Sequence, residues 1–91
     1  MADNEVTVAL SPALVRLFPG ATSEVRLGAA TVDAMMDVLD QKWPGMRDRL
    51  CDSSPAIRRH LNVFVDGEIA TLGTKLVPGA QVYVLTAMSG G

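Results

Sequence analysis

The sequence closes on Ser89-Gly90-Gly91, directly after a β-branched, strand-like run. Two residues without Cβ make a thin length of backbone that accepts almost any φ/ψ. Projecting from a rigid last strand, such an end can be threaded into another protein's narrow active site, with its terminal carboxylate as the reacting group. The plainer reading of the same dipeptide is a frayed tail, since Gly is common at disordered termini.

The remaining chemistry is sparse. The chain has one Cys and one His, Cys51 and His60, nine residues apart, with no metal-ligand spacing around them. A nucleophilic thiol needs a base in reach and a group that orients the base, and no motif supplies that group. Cys51 follows Leu50 at the end of a short helical turn, the wrong end for help from the helix dipole. It reads as a small, semi-buried residue, although Arg47 and Arg49 could assist a thiolate. No Walker A, Gly-x-Gly-x-x-Gly or His-Glu-x-x-His motif is present. Arg47, Arg49, Arg58 and Arg59 form either a basic patch beside the third strand or a solvated surface paired with Asp48 and Asp52. Surface charge alone seldom carries specificity. No residue is assigned as catalytic and none as a metal ligand.

Around these residues lies a chain of 91 residues, enough for one small domain. At 48% hydrophobic and 20% charged it can bury a core and is not expected to be disordered. With one Trp, one Tyr and two Phe, that core must come from Val, Leu, Ile, Met and Ala. The net charge of −2 argues against a nucleic-acid binder that works by neutralising phosphates. A lone Cys cannot form an intrachain disulfide, so a reducing compartment fits best. The acidic start Met1-Ala-Asp-Asn-Glu is unlike a signal peptide, and no stretch approaches a membrane span. The expectation is a soluble, cytoplasmic protein.

Glu5 to Leu10 alternates with the period of a half-buried strand. Ser11-Pro12 interrupts it, extended structure is expected to resume from Leu14 to Phe18, and Pro19-Gly20 turns the chain into a second strand at Ser23 to Leu27. Thr31 offers an N-cap and Asp33 a first-turn carboxylate. Val32, Met35, Met36, Leu39 and Trp43 form one apolar helical stripe, stopped at Pro44-Gly45. Met46 to Leu50 can make one helical turn, and Asp52-Ser53-Ser54-Pro55 is a turn cluster. Leu61, Val63 and Val65 alternate as a third strand, Asp66-Gly67 is a tight turn, and Ile69 to Leu76 holds only short extended pieces. Pro78-Gly79 precedes a final strand, Gln81 to Thr86. The order predicts an α+β domain: one sheet covered on one face by one helix, with the other face open. If Val63, Val65, Val82 and Val84 face that helix, alternation sends Phe64, Tyr83 and Leu85 to the open face, where large apolar groups suggest docking.

Leu61-Asn62-Val63-Phe64-Val65-Asp66-Gly67-Glu68, then Leu76-Val77-Pro78-Gly79-Ala80-Gln81-Val82-Tyr83-Val84-Leu85 and the closing Gly90-Gly91, resemble the MoaD/ThiS sulfur-carrier family. Arg16-Leu17-Phe18-Pro19-Gly20 is also similar to it. The segment Met46 to Arg59 looks most like the branch that serves cysteine biosynthesis. Gly79-Ala80-Gln81 and Thr86-Ala87-Met88 depart from the family's usual Gly-Asp before the last strand and Pro before the tail. The resemblance implies a ubiquitin-like β-grasp fold, with a mixed sheet of four to five strands and one main helix on one face. It implies residues 1–87 as the β-grasp domain and 88–91 as a flexible Gly-Gly tail.

It also implies a role. An E1-like adenylyltransferase, using ATP, would join the Gly91 carboxylate to AMP. A sulfur donor or sulfurtransferase would convert it to a thiocarboxylate, and a downstream enzyme of cysteine or molybdopterin synthesis would accept the sulfur. The chain is then a substrate of its partners and not an enzyme, with no permanently bound cofactor. Two other readings stay open: a ubiquitin-like modifier forming isopeptides through Gly91, and a β-grasp interaction domain that does not react.

Overall fold

Caps and alternation set the boundaries of nearly every element in this chain, which is described over residues 5–86 of a computed structural model. β1 (Glu5–Leu10) strictly alternates half-buried with buried positions, placing Val6, Val8 and Leu10 in the core. α1 (Pro12–Leu17) then occupies the stretch where extended structure was expected. The Ser11 hydroxyl accepts the Leu14 N–H at 3.4 Å, and Pro12 sits in the first turn, where its missing N–H costs nothing. Ser11-Pro12 is thus a helix start as well as a strand end, and it turns Leu14 into the core. β2 (Glu24–Gly28) lies one residue further along than the Ser23 to Leu27 expectation and pairs antiparallel with β1, Val6 opposite Leu27.

α2 (Val32–Lys42) is the main helix. The Thr31 hydroxyl accepts the Ala34 N–H at 3.1 Å, Asp33 stands in the first turn, and Val32, Met35, Met36 and Leu39 are wholly buried. Trp43 ends the helix half-buried. Gly45 follows at φ +96°, a left-handed turn that starts α3 (Met46–Leu50) almost without a linker. The Asp40 carboxylate accepts the Gly45 and Arg47 N–H groups at 3.1 and 3.0 Å, capping α3 from the preceding helix.

β3 (Leu61–Val65) and β4 (Glu68–Ile69) form a hairpin across Asp66-Gly67, both at positive φ as a primed two-residue turn requires. β5 (Gln81–Thr86) completes a five-stranded mixed sheet of order β2-β1-β5-β3-β4, parallel to β1 and antiparallel to β3. The α+β, β-grasp expectation therefore holds, with one correction. α2 is the main cover, but α1 and α3 add Leu14, Met46 and Leu50 to the same core. Val63, Val82 and Val84 face it fully buried, and Val65 packs at its margin. No helix among the described residues is long and apolar enough to cross a membrane. Ala87 and the expected tail, 88–91, lie outside the described residues.

Candidate functional site

The strand that leads to the Gly-Gly end is the central one. Thr86, the last residue of β5, pairs with Leu61 at the start of β3. On its other side the Ser11 N–H donates to the Val84 carbonyl at 3.0 Å, extending the parallel contact with β1 into the first turn of α1. A strand hydrogen-bonded on both edges cannot slide or twist independently of the sheet. Whatever follows Thr86 starts from a fixed point. Gly90 and Gly91 themselves lie outside the described residues.

The three residues expected on the open face are brought together. Phe64 and Tyr83 are direct cross-strand partners, and Leu85 stands two residues along β5 from Tyr83, opposite Asn62. Tyr83 is 45% exposed and Leu85 39%, while Phe64 is half-buried between its neighbours. Ile69 joins them: it pairs with Phe64 from β4 and is 68% exposed. One row thus crosses the whole sheet, from Ile69 through Phe64, Tyr83 and Ala9 to Glu24. It is apolar on the β4-β3-β5 side and charged at the β2 edge. Ile69 was missed in the sequence, although a two-residue turn at Asp66-Gly67 forces Val65 opposite Glu68 and therefore Phe64 opposite Ile69.

Cys51 and His60 line different clefts, which share Asp48 and Arg58. Cys51 is more deeply buried than expected, and burial pushes its thiol above the ordinary range, with Arg47 only partly opposing. A thiol of that kind is a poor nucleophile at neutral pH. Among the described residues no group of acids, Cys and His could hold a metal ion.

The arginines also divide. Arg47 does not pair with Asp48 or Asp52 as expected. It reaches back to α2, where it meets Asp33 at 2.6 Å and Asp37 at 3.1 Å and donates to the Asp33 carbonyl. It thereby staples α3 to α2, and its bond to Asp33 raises its own pKa. Arg58 donates from Nε to the Asp48 carbonyl at 2.9 Å. Asp52 instead organises its own loop, accepting the Ser54 hydroxyl and the N–H groups of Ser54 and Ala56, which hold its carboxyl below the usual range.

The ThiS family model matches residues 12–91. The chain is 32% identical over 92 aligned residues to the sulfur carrier protein CysO of Mycobacterium tuberculosis, covering 94% of this chain and 98% of that protein. Among solved structures it is similar to a chain of the BexX/CysO complex of Amycolatopsis orientalis, with TM-score 0.81 and 28% identity over 94% of this chain and 99% of that one. It is similar also to SAMP1 of Haloferax volcanii, with TM-score 0.80 and 26% identity over 96% of this chain and 99% of that one.

Proposed function

The chain belongs to the ThiS family, and from that premise we propose that it is a sulfur carrier whose reacting group is the carboxylate of Gly91. The observation that carries this reading is the similarity to a sulfur carrier over nearly the whole of both chains, within a family match that runs through Gly90-Gly91.

A carboxylate resists nucleophiles because its charge is delocalised and repels them. In the proposed sequence an E1-like partner joins the Gly91 carboxylate to the α-phosphorus of ATP, releasing pyrophosphate and leaving an acyl adenylate. A sulfide equivalent from the sulfur donor attacks the carbonyl carbon and expels AMP, so the C–O bond to phosphate breaks as a C–S bond forms. The resulting thiocarboxylate gives its sulfur to an acceptor enzyme, with cysteine or molybdopterin synthesis as the receiving chemistry. ATP belongs to the partner's site, and the carrier acts as a substrate in the cytoplasm.

The sheet's part is positional. A tail of five residues beyond Thr86 reaches roughly 17 Å at most when extended, so the partner must grip the domain close to its own active site. The exposed row of Tyr83, Leu85 and Ile69, with Phe64 between, is the surface proposed for that grip. Gly at both final positions keeps the reacting carbonyl unhindered.

Removing Gly91 tests the reading. The truncated chain should keep the melting transition of the full one and accept no sulfur from an activating partner and donor that load the full chain. Sulfur acceptance at the new terminus would refute it. Covalent adducts to other proteins would instead support the modifier, the role that shares the adenylation step.

A further inference from the structure

The two edges of the sheet are finished differently. β4 forms one edge with only two residues. The other edge is β2, in unbroken register with β1 from Gly28 opposite Glu5 to Glu24 opposite Ala9, with no bulge and no Pro. The ladder shows which way its backbone points. The Leu10 N–H donates to the Ser23 carbonyl at 2.9 Å, whereas the Thr7 and Ser11 N–H groups donate to the other side, to Ala80 and Val84. Even-numbered positions of β1 therefore address β2, and odd-numbered positions address β5. Through the register, Val25 and Leu27 bond back to β1, while Glu24, Arg26 and Gly28 turn their backbone groups outward. All three are exposed. The Thr22 hydroxyl donates to the Glu24 carbonyl at 2.7 Å, which fills one of that oxygen's lone pairs. The Glu24 N–H and both backbone groups of Arg26 have no hydrogen-bond partner among the described residues.

Open donors and acceptors on a regular strand are a template for another strand. Charge can blunt such an edge by repelling a copy of itself, but Glu24 and Arg26 are of opposite sign and share one face. Two copies paired antiparallel about a two-fold axis must set outward residues against outward residues. Centred on Glu24, the pairing sets Glu24 against Glu24; centred on Arg26, it sets Arg26 against Arg26. Centred on Val25, it sets Glu24 of each copy against Arg26 of the other, and opposite charges facing across a ladder attract. In that register each Glu24–Arg26 pair exchanges both its backbone hydrogen bonds, and the two half-buried Val25 side chains meet on the helix side.

We infer that β2 is the interface for a second copy of this chain, the two β2 strands pairing antiparallel about Val25 so that two five-stranded sheets become one. The charge complementarity of Glu24 and Arg26 selects both the occupant and the register. The contact uses the one long edge of each copy, and β4 offers only two residues, so assembly closes at a dimer. The interface is short and should dissociate on dilution. It adjoins the charged end of the row that crosses the open face. β5 lies two strand spacings from β2, about 10 Å, so Tyr83 and Leu85 stay exposed in the pair. Nothing in the contact depends on the reactivity of Gly91.

The test is sedimentation equilibrium of the full chain over a dilution series, with amide resonances and exchange of the ¹⁵N-labelled chain followed at each concentration. The dimer fraction should rise with concentration. Exchange at the Glu24 and Arg26 amides should slow with it, while Val25, already bonded within the sheet, changes little. Arg26→Glu or Glu24→Arg alone sets like charges opposite each other and should weaken the dimer by about tenfold or more. An equimolar mixture of the two variants should pair again, because an edge carrying two acids then faces an edge carrying two bases. Both positions are exposed, so the variants should keep the parent's melting transition. The inference is overturned by a chain that stays monomeric up to about 1 mM, by a dimer that neither reversal weakens, or by a mixture that associates no better than the separate variants. It is overturned too by concentration-dependent shifts centred on Tyr83 and Leu85, which would place the contact on the open face.

Discussion

The two faces of the sheet are written by the same strands and meet opposite surroundings. On β5, Val82 and Val84 point to the helices and are buried, while Tyr83 and Leu85 point away and are exposed. β3 repeats the division with Val63 beneath and Phe64 above. A period of two lets neighbouring residues be selected independently, one set for the core and the other for the surface. The covered face is sealed by three helices, so its residues answer to packing alone. The open face meets solvent and keeps Tyr83, Leu85 and Ile69 exposed, the surface proposed above for docking.

The contrast is broken most severely from beneath. Leu39→Ala removes a wholly buried side chain from the α2 stripe and should cost about 2–5 kcal/mol, whereas Leu85→Ala on the open face should cost under about 1 kcal/mol. Chemical denaturation of both variants measures the gap, and equal losses would mean that the faces are not distinct.

Tyr83→Arg should leave the melting midpoint nearly unchanged and weaken binding to the activating partner by about tenfold or more, since a central aromatic anchor is replaced by a charge. Phe64→Ala belongs between the two classes. Its ring is half-buried, so the loss should fall below the roughly 3–5 kcal/mol of a core Phe. A full core penalty would move Phe64 out of the docking row.

The smallest effect separates the sheet from the loop beside it. The folded-state pKa of Asp52 is lowered, so its contribution is complete above the ordinary 3.8 of the free group and is lost as pH falls through the lower folded value. Amide exchange at Ser54 and Ala56, corrected for its intrinsic pH dependence, should accelerate through that acid window while Val82 and Val84 stay protected. Simultaneous loss at all four would tie the loop to global unfolding.

Most of this division is legible in the sequence because alternation is a local signal. Val82-Tyr83-Val84-Leu85 announces both faces, and the Thr31 cap with its apolar stripe announces the helix that covers one. α1 was not legible as a helix because Ser11-Pro12 serves two purposes, ending a strand and capping a turn, and six residues are too few to show a period. Arg47 was misassigned because its partners, Asp33 and Asp37, are near only after α3 folds back across Gly45. Gly90-Gly91 is the reverse case, plain in sequence and outside the described structure.

The most direct measurement is therefore made on those two residues. The full chain is incubated with its activating partner, ATP and a sulfur donor, then fragmented in a mass spectrometer so that any mass change is assigned to a residue. The expected result is a gain equal to sulfur replacing one oxygen, located on Gly91 and preserved in Cys51→Ser. Methionine oxidation adds nearly the same mass, so the location decides. A gain confined to methionines or to Cys51, with Gly91 unchanged, would contradict a carrier that works through its terminal carboxylate.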